Sequence, residues 1–181
     1  MDFTLRLIEP ADAPALHRFF DENFLFLSPW VAGMDRPVSD ESSRLFTEEA
    51  VNDANNFSAI RLLVMVDSEI AGIVSLIKVD QLHDTAELGY ILGERFTGKG
   101  LATKACQATL DLCFSDFGLN RIEIAISESN IESHKVAARL KAVPEGLKRD
   151  GEMIHGEYVN QLVYSIIKSD WALVPAEAIA A

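Results

Sequence analysis

The order of apolar patterns predicts a single α/β domain, a mixed twisted sheet with helices on both faces. Two observations carry this. Short β-branched runs and helical stretches succeed each other as β, α, α, β, β, β, α, β, α, β, β, so hairpins interleave with crossover helices. A glycine-rich stretch, Arg95-Phe-Thr-Gly98-Lys-Gly100-Leu-Ala102, joins a strand-like run to a strongly helical one. A strand that feeds such a loop and then a helix N-terminus forms a backbone cradle for phosphate. At 181 residues the chain is long enough to bury a sizeable core.

Residues 3–8 (FTLRLI) alternate and predict the opening strand. Asp12 reads as an N-cap, with Pro14 in the first turn and Leu16, Phe19 and Phe20 at helical spacing. Phe24, Phe26, Leu27, Pro29 and Trp30 form an aromatic-rich connection that either covers the core or walls an acceptor groove. Ser39 caps a second helix running to about residue 55, with Asp40 and Glu41 suited to its first turn. Residues 58–66 and 70–79 are apolar and β-branched, and Asp67-Ser68 between them predicts a hairpin. A strand over 86–92 leads into the glycine loop and a helix to about residue 116. Residues 120–127 (NRIEIAIS) form the next strand, and Asn130 caps a short helix in which Ser133, Val136, Ala137 and Leu140 share a face. A terminal hairpin follows, with strands near 147–153 and 158–167 and a turn at His155-Gly156. One domain is expected over 1–171, with a frayed, Ala-rich tail over 172–181.

The formal charge of −12 argues against nucleic acid as a partner, which needs a basic face. It suits solubility, or a cationic substrate steered by the field. No apolar run approaches the ~18 residues of a membrane span, and no basic region leads into an apolar stretch at the start, so a cytoplasmic protein is expected. Cys106 and Cys113 lie on one helical face with Leu101, Ala105 and Leu112, which makes them buried structural thiols. The four histidines have no metal-ligand spacing, so no metal is expected.

Which phosphate compound fits the loop is decided by its details. Gly93 to Lys99 follows the P-loop pattern GxxxxGK until the next position, where Gly100 stands in place of the Mg²⁺-binding Ser or Thr. The dinucleotide fingerprint GxGxxG fails as well, because Thr103 follows where the last glycine belongs.

What remains is Arg95-x-x-Gly98-x-Gly100, followed by Leu101-Ala102-Thr103. With it come Thr4-Leu-Arg-Leu, Ala86-Glu-Leu-Gly-Tyr-Ile-Leu, Leu119-Asn-Arg121-Ile, Asn130-x-x-Ser133, Glu145-Gly146 and Leu162-Val-Tyr164-Ser. In this ordered set, which covers residues 3 to about 171, the chain resembles the GNAT acyltransferases. It is most similar to the bacterial Rim-type group that acetylates ribosomal-protein N-termini. The resemblance implies a GNAT fold with a splayed central strand pair, acetyl-CoA as cofactor, and an N-acetyltransferase whose acceptor is a protein N-terminal amine. A polyamine or aminoglycoside acceptor, and a catalytically silent acyl-CoA-binding module, are the alternatives. Exposed aromatics near 24–30 and the terminal hairpin are compatible with a homodimer.

The same resemblance assigns the site. Arg95, Phe96, Thr97, Gly98, Lys99, Gly100, Leu101, Ala102 and Thr103 would hold the pyrophosphate, mostly through backbone N–H groups. Lys99 and Lys104 either add charge there or are solvated. The backbone of Ile91 and Leu92 would pair with the pantetheine arm and polarise the thioester carbonyl. Asn130 would bond the arm as well as cap its helix. Ser133 would donate to the leaving thiolate, and Glu87 or Glu152 would take the amine proton. Two departures stand out. Leu140-Lys141-Ala142 replaces the Leu-Gly-Phe often found there, which implies a looser cofactor pocket, and no tyrosine lies on the helix after Asn130.

Overall fold

The computed structural model describes residues 1–172; apart from Ala172, the expected frayed tail lies outside the described residues. The strands are β1 (Thr4–Leu7), β2 (Ile60–Val66), β3 (Glu69–Asp80), β4 (Thr85–Leu92), β5 (Arg121–Ser127), β6 (Val143–Ile154) and β7 (Glu157–Ile167). They form one sheet in the order β1-β2-β3-β4-β5-β7-β6, antiparallel throughout except at β4–β5. The helices are α1 (Ala13–Glu22), α2 (Phe24–Leu27), α3 (Asp40–Asn56), α4 (Leu101–Ser115), α5 (Ile131–Arg139) and α6 (Lys168–Trp171).

Period-2 alternation divides the strands' side chains between two cores. Val64, Val74, Leu76, Leu88, Ile122 and Ile124 pack on one face with Leu101, Ala105 and Leu110 of α4. Leu63 and Ile73 pack on the other with Leu16, Phe19 and Phe20 of α1 and Ala50 of α3. Cys106 and Cys113 are buried free thiols; burial raises both, Cys113 to about 12 and Cys106 beyond it, so neither is a nucleophile at neutral pH. No helix among the described residues is long and apolar enough to cross a membrane.

Local chemistry explains most turns. Asp67 and Ser68 both have positive φ, 49° and 66°, as a two-residue hairpin turn of the favoured hand requires. Ser39 accepts the Ser42 N–H at 3.1 Å and closes the first turn of α3. Asp12 behaves differently from expectation. Its carboxylate binds both terminal nitrogens of Arg6 at 2.6 and 2.7 Å and accepts the Glu9 N–H at 2.8 Å, closing a 3₁₀ turn before α1 without capping the helix itself. A strong cation one strand away outcompeted the local helix donors. The aromatic connection contains α2, a single turn; its Leu27 is buried in the second core, while Leu25 and Trp30 are exposed.

The Lys141-Ala142 departure leaves the helix end intact. Lys141 takes the left-handed conformation (φ 60°), its N–H reaches the Ala138 carbonyl at 3.1 Å, and the Ala142 N–H reaches the Ala137 carbonyl at 3.0 Å. That is a Schellman closure without glycine. A lysine pays for left-handed backbone where glycine would not, so Lys141→Gly is expected to stabilise the protein by roughly 1 kcal/mol. A urea unfolding midpoint that fails to rise would show that the turn is not strained. After this turn β6 starts at Val143, earlier than its polar sequence suggests, because its pairing with β7 and not an apolar pattern defines it.

Gly72 of β3 pairs with Leu92, and a Cβ there would lie 2.3 Å from the Ile91 carbonyl oxygen. The close approach fixes the line of β4 just before the glycine loop. Gly72→Ala must push β4 aside, at an expected cost of about 1–3 kcal/mol. Chemical denaturation measures the loss, and ligand titration would show whether the displaced β4 also binds more weakly.

Candidate active site

The central strands pair only at their starts. Thr85, Ala86 and Glu87 of β4 are in parallel register with Arg121, Ile122 and Glu123 of β5, and beyond those positions the two strands separate. Each wall stays paired on its outer side, Leu88 to Leu92 with β3 and Ile124 to Ser127 with β7. The result is a V whose facing backbone edges have no strand partner. An extended ligand arm can bond to such an edge as an added strand does. Ile91 and Leu92 lie on the β4 wall, and their side chains pack into opposite cores, so the backbone alone faces the gap.

The glycine loop closes the open end of the V. Phe96 is buried and anchors it, Thr97 donates to the Glu94 carbonyl at 2.8 Å, and Arg95 lies over the Phe96 ring at 4.6 Å while bonding Glu69. Lys99 folds back to donate to the Arg95 carbonyl at 2.6 Å, whereas Lys104 is exposed. Gly98 and Gly100 have φ of 71° and 74°, and a Cβ on either would meet nothing within 4 Å. Glycine is therefore required by the turn and keeps open the space above it.

That space faces the N-terminus of α4. Ser39 and Asn130 cap α3 and α5 through their side chains, and both helices carry acidic residues in the first turn; α4 has neither cap nor acid. Its first N–H groups, at Leu101, Ala102 and Thr103, and its positive dipole end are left for an anion. The Thr103 hydroxyl is buried here without a hydrogen-bond partner. An orphaned donor, two open glycines and an uncapped helix fit a pyrophosphate.

α5 spans the other side of the V. Asn130 Oδ1 accepts the Ser133 N–H at 3.2 Å, which leaves the Asn130 amide nitrogen as a donor. The Ser133 hydroxyl is half-buried one turn into the helix. Two tyrosines reach this turn from the sheet. Tyr90 of β4 donates to the Ser133 carbonyl over a long 3.4 Å, and burial raises its phenol well above the ordinary range. Tyr164 of β7 lies 3.0 Å from His134 Nδ1, while His134 Nε2 faces the Glu128 carbonyl at 3.3 Å. The carbonyl requires the proton on Nε2, so Tyr164 donates to Nδ1.

Glu87 and Glu152, the two carboxylates expected as bases, are not together. Glu87 stands at the vertex of the V, in register with Glu123, and is ion-paired to Lys78 at 2.6 Å. Glu123 is held by Arg121 at 2.8 Å, and Arg121 also bonds Glu145, which Arg121 and then Ser165 pull down to about 2. Two like charges side by side repel, and the two cations offset this. Glu152, on β6, accepts only from the neutral amide of Gln161, at 3.1 Å. Gln161 is in register with Ser127 at the open end of β5, so Glu152 stands nearer the mouth than the vertex.

A family model described as an acetyltransferase (GNAT) domain matches residues 2–143. The chain belongs to the GNAT acetyltransferase family. YdaF of Bacillus subtilis, provisionally named a ribosomal N-acetyltransferase, is 31% identical over 172 residues, covering 93% of this chain and 92% of its own. Spermidine N(1)-acetyltransferase of Escherichia coli K12 is 29% identical over 158 residues, covering 86% and 78%. Among solved structures, RimL, a ribosomal L7/L12 α-N-protein acetyltransferase in complex with coenzyme A, superposes with a TM-score of 0.87 at 25% identity, covering 91% and 93%.

The structure also places residues that sequence reasoning missed around this gap in the GNAT fold. Asn23, at the end of α1, accepts the Glu94 N–H at 2.9 Å and fixes the start of the glycine loop. Glu123 becomes visible as a vertex residue only through strand register. Tyr90 and Tyr164 carry a weak sequence signal, as tyrosines within apolar strands whose hydroxyls need partners. Among the described residues no group of three or more His, Cys, Asp or Glu could hold a metal ion.

Proposed function

We propose that this GNAT protein acetylates a primary amine from acetyl-CoA in the cytoplasm, with the N-terminal α-amine of a ribosomal protein as acceptor. The observation that carries the reading is the β4–β5 splay opening onto an uncapped helix N-terminus behind two open glycines. The ribosomal acceptor rests on the similarity to YdaF and RimL.

Acetyl-CoA supplies the acetyl group as an activated thioester. The loop from Arg95 to Thr103 binds its pyrophosphate through backbone N–H groups, with the Thr103 hydroxyl as a further donor. The free backbone edge at Ile91 and Leu92 orients the arm and offers an N–H to the carbonyl oxygen. The Asn130 amide nitrogen bonds the arm, and the Ser133 hydroxyl donates a hydrogen bond to the departing sulfur, which leaves as the thiolate. A carboxylate, Glu87 at the vertex or Glu152 near the mouth, takes the amine proton directly or through water.

A second acceptor class has its own support. The spermidine acetyltransferase is 29% identical, and a chain of net charge −12 favours polycations. Mass spectrometry after incubation with acetyl-CoA and a mixture of peptides and polyamines separates the two. Acetylated peptide N-termini are expected; acetyl-spermidine alone would assign the polyamine reading, and no acetylated product would leave a silent acyl-CoA-binding module.

A further inference from the structure

Gly89 lies inside β4, the middle strand of seven, where nothing in the fold calls for a glycine. Glycine weakens a strand interior, because it loses the most freedom on folding and packs no side chain. Two structural reasons commonly account for one, and neither holds here. Its φ is not positive, unlike those of Gly98 and Gly100. Nor is it crowded. A Cβ at Gly89 would meet nothing within 4 Å, whereas one at Gly72 would lie 2.3 Å from the Ile91 carbonyl oxygen and one at Gly93 would lie 3.1 Å from Asn23 Oδ1. The third reason for a strand glycine is the close approach of a ligand to the backbone.

The rungs of the sheet place that ligand. On the face of α1 and α3, Ile73 pairs with Ile91 and both pack in the second core. The next rung, Ser75 with Gly89, lies outside that core and is partly open. The rung after it, Ile77 with Glu87, carries the carboxylate at the vertex of the V. Across the gap Ala125 stands two residues past Glu123, as Gly89 stands two past Glu87. Ala125 is on the same face, since Ile122, Ile124 and Ile126 fill the other. Gly89 is therefore bare backbone flanked by two small side chains. Along β4, Glu87, Gly89 and Ile91 follow one another on this face at roughly 6.6 Å per step. In the mechanism above, Glu87 takes the amine proton and the N–H at Ile91 or Leu92 polarises the thioester carbonyl. The bond between nitrogen and carbonyl carbon then forms between those two groups, above Gly89.

We propose that the missing side chain of Gly89 sets the acceptor specificity. Its space admits a substituent on the carbon next to the attacking amine, so the acceptor class includes amines on a substituted carbon, as at a peptide N-terminus, and not only unbranched alkylamines. Gly89 is a specificity-determining residue with no part in proton transfer, and its assignment rests on the acetyltransferase reading with Glu87 as base.

The test uses the full chain and its Gly89→Ala and Gly89→Val variants. Three acceptors are compared: two peptides that differ only in having Gly or Ala at the N-terminus, and spermidine as the unbranched amine. Wild type should acetylate both peptides. Gly89→Ala should lower kcat/KM for the Ala peptide roughly tenfold relative to the Gly peptide, and Gly89→Val should lower it further. Coenzyme A affinity in a thermal-shift titration should stay unchanged. The urea unfolding midpoint should hold or rise, because alanine and valine suit a strand better than glycine does. Loss of function without loss of stability is a result that a purely structural glycine would not give. A lower midpoint overturns the proposal, because the glycine would then serve packing. An equal loss on all three acceptors, or no loss on any, overturns it as well. Weaker coenzyme A binding would put the cofactor arm over Gly89 and remove the acceptor role. Wild type that acetylates spermidine alone overturns the substituent while the transferase stands; wild type that acetylates no amine sinks the acetyltransferase reading and this proposal with it.

Discussion

Gly100→Asp is expected to leave a folded protein that no longer binds coenzyme A. No protein atom lies within 4 Å of the position a Cβ would take at Gly100, so the new side chain enters the space that the pyrophosphate needs. Its carboxylate also competes for the N–H groups of Leu101, Ala102 and Thr103, acting as the cap that α4 lacks. Fold stability should move little, because the left-handed strain of aspartate, ~1 kcal/mol, is offset by that capping. In a thermal-shift titration, acetyl-CoA at a hundredfold excess over Kd should stabilise wild type by about 2.7 kcal/mol and the variant not at all. Undiminished affinity in a folded variant would put the cradle elsewhere in the molecule. Stabilisation of wild type by ATP–Mg²⁺ and not by coenzyme A would remove the acyl-CoA assignment altogether.

The second large effect concerns the base. If Glu87 takes the amine proton, Glu87→Gln keeps coenzyme A binding and loses turnover by roughly 10²–10⁴-fold. If Glu152 has the role, Glu152→Gln shows that loss instead. In either case the deficit narrows as pH rises toward the acceptor's own pKa, because more amine is then already neutral. The two environments differ in a way that bears on the outcome. Glu87 is ion-paired to Lys78, whereas Glu152 accepts a hydrogen bond from the neutral amide of Gln161. Near-full activity in both variants from pH 6 to 9 would mean that neither carboxylate is the base. The proton would then leave through water and backbone carbonyls, and the mechanism would be wrong though the fold were right.

The sequence alone determined the order of elements and the strand–loop–helix unit, and its resemblance to a known family pointed to an acyl-CoA as ligand. The first two are written in local chemistry. Gly98 and Gly100 announce left-handed turns beside open space, the spacing of Ile122, Ile124 and Ile126 announces a buried strand face, and Ser39 and Asn130 announce helix starts through a side-chain acceptor three residues before its donor. Periods of two and 3.6 residues say which face of an element is apolar, but not where that element stops pairing with another. The end of β4–β5 pairing at Glu87 and Glu123 was therefore decided only in the assembled sheet, where Leu88 to Leu92 are held on their outer edge by β3 and Ile124 to Ser127 by β7, and the facing edges are left without a strand partner. Tertiary structure also chose the partners of side chains with more than one option. Asp12 turned from its helix to Arg6, Lys141 accepted the backbone of a glycine, and Glu87 found Lys78. It alone brought Asn23 to Glu94 and His155 to Ser28 and Asp35. A hydrogen bond between residues far apart in the chain depends on how the intervening elements stack, and that stacking is a property of the whole core, absent from any short stretch of sequence.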